Sequence, residues 1–281
     1  MSQTSKAVLI TGCSTGIGRA TAERLARGGM TVYATARRLE SIDDLERAGC
    51  RTLPLDVTDE ESMAAAVAAV EQAEGAVGAL VNNAGYSQSG AVETVGLDDA
   101  RRQFETNVFG LLRMCQLVLP EMRRQGHGRI VNVSSMGGKL TFPGGGLYHA
   151  TKHAVEAISD AMRFEVAGFG VQVSVIEPGL IKTSFPETSV GSVPHEDGPY
   201  AEFNSAVAAA TTGAYSGPMS RLGAGPEAVA AAIEKALTAK RPRTRYKVTA
   251  SAHLLMAQRR LLPDRAWDAV VGTSFPRPGR T

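Results

Sequence analysis

Seven short runs rich in valine, isoleucine and other strand-favouring residues recur along the chain, separated by longer segments whose apolar residues repeat at helical spacing. This alternation most narrows the fold, because strands that alternate with helices build a parallel sheet with crossover helices. The strand runs cover residues 7–11, 31–36, 51–55, 79–82, 129–133, 171–176 and 245–248, each mostly apolar as a strand buried on both faces requires. Helical patterns fall at 16–27, 39–47, 60–74, 100–124, 148–167 and 227–238. The expected architecture is a single α/β domain, 1–281, around a doubly wound seven-stranded sheet.

Two stretches break the rhythm. Residues 184–225 are rich in Pro, Gly, Ser and Ala, with a short helix expected at 201–214, and read as a long mobile excursion of the kind that carries function. Residues 250–281 form a C-terminal extension whose apolar positions recur at helical spacing, as expected of a segment packed on the body. Nothing between them resembles a linker dividing the chain.

Charge and cysteine usage remove several function classes. Thirty basic and twenty-eight acidic residues leave a net charge of +2, too little for a nucleic-acid surface. Cys13, Cys50 and Cys115 are odd in number and widely spaced, which indicates neither a disulfide framework nor a zinc site and suits a reducing cytoplasm. His127, His153, His195 and His253 form no spaced ligand set, so no metal is expected. The first residues run directly into an apolar strand without a signal-peptide pattern, and no apolar stretch reaches the roughly 18 residues of a membrane span.

The first strand runs into VLITGCSTGIGRA, with Gly12, Gly16 and Gly18 before a helical segment. Glycines at such a turn let the backbone approach a pyrophosphate, and the helix start beyond offers unpaired N–H groups to the phosphates. A merely tight strand-to-helix turn is the bland reading. At the end of the second strand, where an NAD site carries an acid for the ribose 2′-hydroxyl, TVYATARR has Ala36 followed by Arg37 and Arg38. Guanidinium groups there suit a 2′-phosphate and favour NADP over NAD, although Thr15 adds no second basic group in the glycine loop. Both arginines also read as the solvated start of the next helix.

Tyr148 and Lys152, four apart in YHATK, share one helix face and can address the same bound molecules. A tyrosine with pKa near 10 is a poor base at neutral pH. An ammonium about 4 Å away is expected to lower it by about 3 units before desolvation opposes. Ser134 and Ser135 close the strand RIVNVSS on opposite faces, and both are candidates for a hydroxyl beside the phenol. His149, pointing about 100° from Tyr148 on the helix, reads as a surface or interface residue.

The glycine loop, VNNAG, the serine strand and YHATK occur in this order over roughly residues 7–250, and with them the chain resembles the short-chain dehydrogenase/reductase family. VLITGCSTGIG, VYATARR and IEPGLIKTSF are most similar to its 17β-hydroxysteroid and retinol dehydrogenase branch. The resemblance implies one Rossmann-type domain with strand order 3-2-1-4-5-6-7, a homodimer or homotetramer, and Asn107, Ser135, Tyr148 and Lys152 as catalytic residues, the family spacing selecting Ser135 over Ser134. It implies cofactor contacts at Gly12, Ser14, Thr15, Gly16, Ile17 and Gly18, at Arg37 and Arg38, and at Asp56 and Val57 beside the adenine. Asn83, Ala84 and Gly85 would follow on the exit of the fourth strand, with Asn82 holding the sheet together. Tyr148, Lys152, Pro178, Gly179, Ile181 and Thr183 would complete the nicotinamide end.

The expectation is therefore an NADP-dependent oxidoreductase moving a hydride between nicotinamide and a secondary alcohol or ketone. The substrate implied is lipophilic, such as a steroid or retinoid, chosen by residues 136–147 and 184–225. Phe142, Phe185, Phe203 and Tyr215 are candidates for lining its pocket. The alternatives are a β-ketoacyl or polyketide-type reductase and a non-catalytic NADP-binding regulator.

Overall fold

The computed structural model describes residues 4–194 and 197–279, so His195 lies outside it. The first half alternates as β1 Val8–Ile10, α1 Gly16–Arg27, β2 Val32–Ala36, β3 Arg51–Pro54, α2 Glu60–Glu74, β4 Ala79–Asn82, α3 Leu97–Phe104 and α4 Gly110–Gln125. The second half adds β5 Gly128–Val133, α5 Gly146–Glu165, β6 Val171–Pro178, α6 Phe185–Gly191, α7 Ala201–Ser216, α8 Pro226–Thr238, β7 Arg245–Val248, α9 Ala250–Leu261 and α10 Asp264–Val271. The strands form one seven-stranded sheet in the order β3-β2-β1-β4-β5-β6-β7, every pair parallel. This is the expected order.

Strand alternation sorts the core into two layers. Leu9, Leu80, Ile130 and Val173 pack with Met63 and Val67 of α2, Met114 and Val118 of α4, and Val155 of α5. Val8, Ile10, Val81, Val131 and Ile176 point to the other face, against Ala22 and Leu25 of α1 and Val229 and Ile233 of α8. Leu9, Ile10, Leu80 and Ile130 are wholly buried, and each such side chain contributes about 1.5–3 kcal/mol. β3 departs from the expectation of two buried faces. It is one of the two edge strands, and its RTLP is only partly covered, as is RYKV of β7 at the other edge.

Three helical expectations are corrected. Residues 39–47 form two 3-10 turns, Leu39–Ser41 and Asp43–Glu46, because Ile42 between them leaves helical geometry at φ −134° and buries its side chain completely. The run 100–124 is interrupted by a π turn, Glu105–Phe109, between α3 and α4. The excursion 184–225 is largely helical, with α6, α7 and a 3-10 turn at Pro218–Leu222. The C-terminal extension packs on the body as expected, with Ala252, Met256 and Trp267 clustered around Leu140. Among the described residues, no helix is long and apolar enough to cross a membrane.

Because all strands run the same way, their C-terminal ends open on one edge, and the chain leaves the paired β1 and β4 toward opposite sides of the sheet, where the order reverses. That crevice is where sheets of this kind bind ligands. It holds a cavity of about 1430 Å³, bounded by the glycine loop, the ends of β4 to β6, α6, α7 and the C-terminal residues 267–275.

Candidate active site

The first half of the cavity is a backbone cradle. At Gly18 a Cβ would lie 2.3 Å from the Gly12 carbonyl and 2.5 Å from Asn83 Nδ2, so α1 can seat against β1 only without a side chain there. Gly12 has φ +73°, and its Cβ would meet Ala84 Cα at 2.9 Å. Among the described residues no side chain caps α1 and its first turn holds no acid. The uncapped N–H groups at this helix start, beside Ser14, Thr15, Gly16 and Ile17 on the cavity wall, fit the phosphates of a dinucleotide. Asn83 donates through Nδ2 to the carbonyls of Thr11 and Gly12, both at 2.9 Å, and so fastens the loop to the end of β4. Asn82 donates to Asn132 Oδ1 at 3.0 Å and so joins β4 to β5.

Arg37 lies exposed on the cavity wall and Arg38 lies outside it. Asp56 and Val57 line the same end. Asp56 Oδ1 accepts from Thr58 N at 2.9 Å and Thr58 Oγ1 at 2.8 Å, while the cap of α2 is Asp59. At the other end, Ala84 and Gly85 face Pro178, Gly179, Ile181 and Thr183 across the cavity. Thr183 Cγ2 stands 3.2 Å from where a Gly16 Cβ would be, so the chain after β6 closes over the glycine loop.

The second half has Ser135, Tyr148 and Lys152 on the cavity wall, with Asn107 buried off it. Asn107 sits in the π turn, 1% exposed. It accepts from Tyr86 N at 3.0 Å and donates to Tyr86 O at 2.9 Å and Thr151 Oγ1 at 3.1 Å. Gly85 lies between it and the lysine: a Cβ there would be 3.0 Å from Asn107 Oδ1 and 3.6 Å from Lys152 Nζ. Lys152 donates to Val133 O at 3.0 Å, and its Nζ lies 5.8 Å from the centre of the Tyr148 ring. Ser135 Oγ accepts from Gly137 N at 3.0 Å and, like Tyr148, lines the cavity, where its hydroxyl pulls the Tyr148 pKa down. Ser134 Oγ is buried beside Gly138 with no partner among the described residues. Of the two serines, Ser135 shares the tyrosine's side.

The electrostatics differ from the expectation in sign. Burial pushes the Tyr148 phenol up to about 12, against a smaller opposing pull from the Ser135 hydrogen bond. Burial also lowers the Lys152 ammonium to about 8, with Glu156 opposing. Desolvation outweighs the attraction assumed from sequence because the ammonium is directed at the Val133 carbonyl rather than the phenol. At neutral pH the phenol holds its proton and the lysine is mostly charged.

His149 is corrected as well. It is 8% exposed, with Nδ1 3.2 Å from Gly137 O, and burial lowers its pKa to about 4. Its ring begins an aromatic row, 5.6 Å from Tyr148 and 6.1 Å from Phe142, which in turn lies 5.8 Å from Trp267. Phe185 of α6 lies 5.4 Å from the Tyr148 ring. Phe142, Phe185 and Tyr215 line the cavity, whereas Phe203 packs outside it against Phe275. Sequence reading missed Trp267, Val271 and Phe275 on the wall, and Ser251, wholly buried, whose Oγ accepts from Leu180 N at 3.0 Å. None carries a motif, and only the return of the C-terminus over the sheet edge brings them there.

A family model described as short chain dehydrogenase matches residues 6–191. The chain is 35% identical to 3-ketodihydrosphingosine reductase of Bacteroides thetaiotaomicron, over 92% of this chain and 93% of that one. It is 34% identical to NADPH-dependent 3-dehydrocapnine reductase of Ornithobacterium rhinotracheale, over 93% and 94%. Human 17-beta-hydroxysteroid dehydrogenase type 1 is 40% identical over 66% of this chain and 60% of its own length. A crystal structure of a short-chain dehydrogenase from Streptomyces avermitilis superposes with a TM-score of 0.78 at 36% identity, covering 97% of this chain and 99% of that one. The similarity thus runs along nearly the whole length, and the chain belongs to the short-chain dehydrogenase/reductase family as one of its oxidoreductases.

Proposed function

We propose that the protein is an NADP-dependent reductase of lipophilic ketones, working through Ser135, Tyr148, Lys152 and Asn107. The observation that carries this reading is that Ser135, Tyr148 and Lys152 line one cavity whose other wall is apolar. There Val207 and Ala210 of α7 face Trp267, Val271 and Phe275. A bound nicotinamide supplies the hydride donor or acceptor, and the chain's own groups handle the oxygen and its proton. Ser135 holds the substrate oxygen beside the phenol. Tyr148, protonated at neutral pH, delivers its proton to that oxygen during reduction. The Lys152 charge favours the phenolate so formed, and Asn107 fixes the backbone at Tyr86 beside it.

Arg37 on the wall where a 2′-phosphate would lie supports NADP, as does the cofactor named for the 3-dehydrocapnine reductase. The ketone-bearing lipids in the names of two relatives, and the steroid in that of a third, support a lipophilic substrate. In this reading residues 184–225 and 250–281 make the substrate side. Self-association goes with it, supported by exposed Phe109 at the head of α4 and Phe164 in α5. The test is oxidation of NADPH and NADH with steroid, retinoid, alkyl-ketone and acyl-thioester substrates. NADPH consumption with free lipophilic ketones is expected, and Tyr148→Phe should abolish it while leaving NADPH affinity within about twofold. Activity of that variant within a few fold of the parent would overturn the assignment, and turnover confined to thioesters would favour a β-ketoacyl reductase.

A further inference from the structure

We propose that three buried serines, Ser87 and Ser89 after β4 and Ser189 in α6, form a subsite that receives a hydroxyl of the substrate several bonds from the reacting carbon. The three line the cavity and are 4%, 5% and 5% exposed. Their hydroxyls close a ring: Ser87 to Ser89 at 3.2 Å, Ser89 to Ser189 at 2.8 Å and Ser189 to Ser87 at 3.4 Å. Among the described residues none of these oxygens has another partner. A serine hydroxyl has one proton and two lone pairs. The three protons are therefore used within the ring, and three lone pairs remain.

With its protons so placed the ring offers acceptors, which sets the chemistry of its preferred ligand. An anionic group, which brings only lone pairs, binds only by breaking a ring hydrogen bond. An ammonium would be buried with no carboxylate touching the ring, at a large desolvation cost. A neutral hydroxyl, which brings a proton and no charge, fits.

Holding α6 in place does not require the ring. Ser192 already does so, accepting from Ser89 N at 2.9 Å and donating within reach of Ser87 O at 3.2 Å and Ser189 O at 2.7 Å. Gln88 Nε2 adds a bond to Ser192 O at 2.7 Å. The ring hydroxyls take no part in this clamp and belong to residues that line the cavity.

Two measurements fix the reach. Phe185 lies 5.4 Å from the Tyr148 ring, and Ser189 is one turn further along the same face of α6. Gly85 adjoins Lys152 Nζ, and Ser87 is two residues on, at most about 7 Å of chain. The ring is thus within roughly 10 Å of the tyrosine. The apolar wall at Val207, Ala210 and Phe275 is left for the hydrocarbon remainder.

This subsite rests on the ketone-reductase reading only for which end of the ligand reacts, and binding tests it separately. Trp267 is the single tryptophan of the chain and lines the cavity, so its fluorescence reports occupancy without turnover. The full-length protein is titrated with dodecan-2-one and with 7-hydroxydodecan-2-one. The hydroxyketone is expected to bind about 5- to 10-fold more tightly. Ser87→Ala and Ser189→Ala should each cut that advantage below about twofold, with the affinity for dodecan-2-one and the urea unfolding midpoint unchanged. A hydroxyl advantage that survives both variants, equal losses for both ketones, or no hydroxyl-dependent binding in the parent overturns the proposal. Hydroxyl-dependent binding without NADPH oxidation would instead sink the reductase reading and leave the subsite standing.

Discussion

At the scale of single residues, the site is flanked by ionisable groups that its desolvation holds away from their ordinary charge. Glu177 of β6, immediately before Pro178, is wholly buried, and burial raises its carboxyl to about 7. Glu156 of α5 adds to the rise, while Arg245 of β7, 3.3 Å away, and Lys139 and Lys247 oppose it. In the unfolded chain the carboxyl ionises near 4.5. Between pH 4.5 and 7 the folded state therefore retains a proton that the unfolded state has lost, and stability falls as pH rises, by about 3 kcal/mol in all. His149 has the opposite slope: depressed to about 4, it costs stability as pH falls below 6.5. Over their shared window the two cancel. Glu177→Gln removes one side of the balance. Relative to the parent, this variant should gain about 1.4 kcal/mol per pH unit from pH 4.5 to 7, read from urea midpoints at pH 5, 6 and 8. A difference that does not change with pH would show that Glu177 is not protonated in the fold.

At the scale of elements, the π turn between α3 and α4 is held by one side chain. Asn107 satisfies both backbone groups of Tyr86 and the Thr151 hydroxyl, and thereby ties the exit of β4 to α5. Asn107→Leu keeps the volume and leaves Tyr86 N unpaired, while Tyr86 O keeps Gln103 Nε2 at 3.1 Å and the Thr151 hydroxyl keeps Tyr148 O at 2.7 Å. It should cost about 1–3 kcal/mol of unfolding free energy and lower kcat more than NADPH affinity. An unchanged urea midpoint would sink this account. The turn also marks how far the sequence could be read. The run 100–124 has continuous helical spacing, and nothing local announces the extra residue, because its partners lie at 86 and 151. By contrast, the strands were legible, since valine- and isoleucine-rich runs are local signals, and their order followed from the family resemblance that the motifs carry. YHATK was legible for the same reason. Ile42 shows the converse failure: a helical-looking segment gives up regular hydrogen bonding to place one side chain in the core. The burial of His149 was likewise unreadable, because α5 becomes covered there only when Gly137 and Phe142 fold back on it.

At the scale of the whole molecule, the parts outside the matched residues 6–191 complete the cavity. α9 is joined to the end of β6 through Ser251, and α10 and residues 273–275 then return across α7 to the cavity mouth. Phe275 packs near Phe203 and Val207, in a small apolar cluster separate from the two layers that hold the sheet. A wall built this way can change without unfolding the domain. Phe275→Ala should therefore leave the thermal midpoint within a few degrees of the parent while enlarging the mouth of the cavity. Loss of the ring's contact with a bound hydrocarbon chain, about 1.4 kcal/mol, corresponds to a tenfold rise in KM for dodecan-2-one. Cyclohexanone, too short to reach from Tyr148 to the mouth, should keep its KM within about twofold, and kcat should hold for both because Ser135 and Tyr148 are untouched. Steady-state kinetics on the two ketones decides the matter. An equal rise in KM for both would mean that the C-terminal segment shapes the site through the fold at large and not as a wall against the chain.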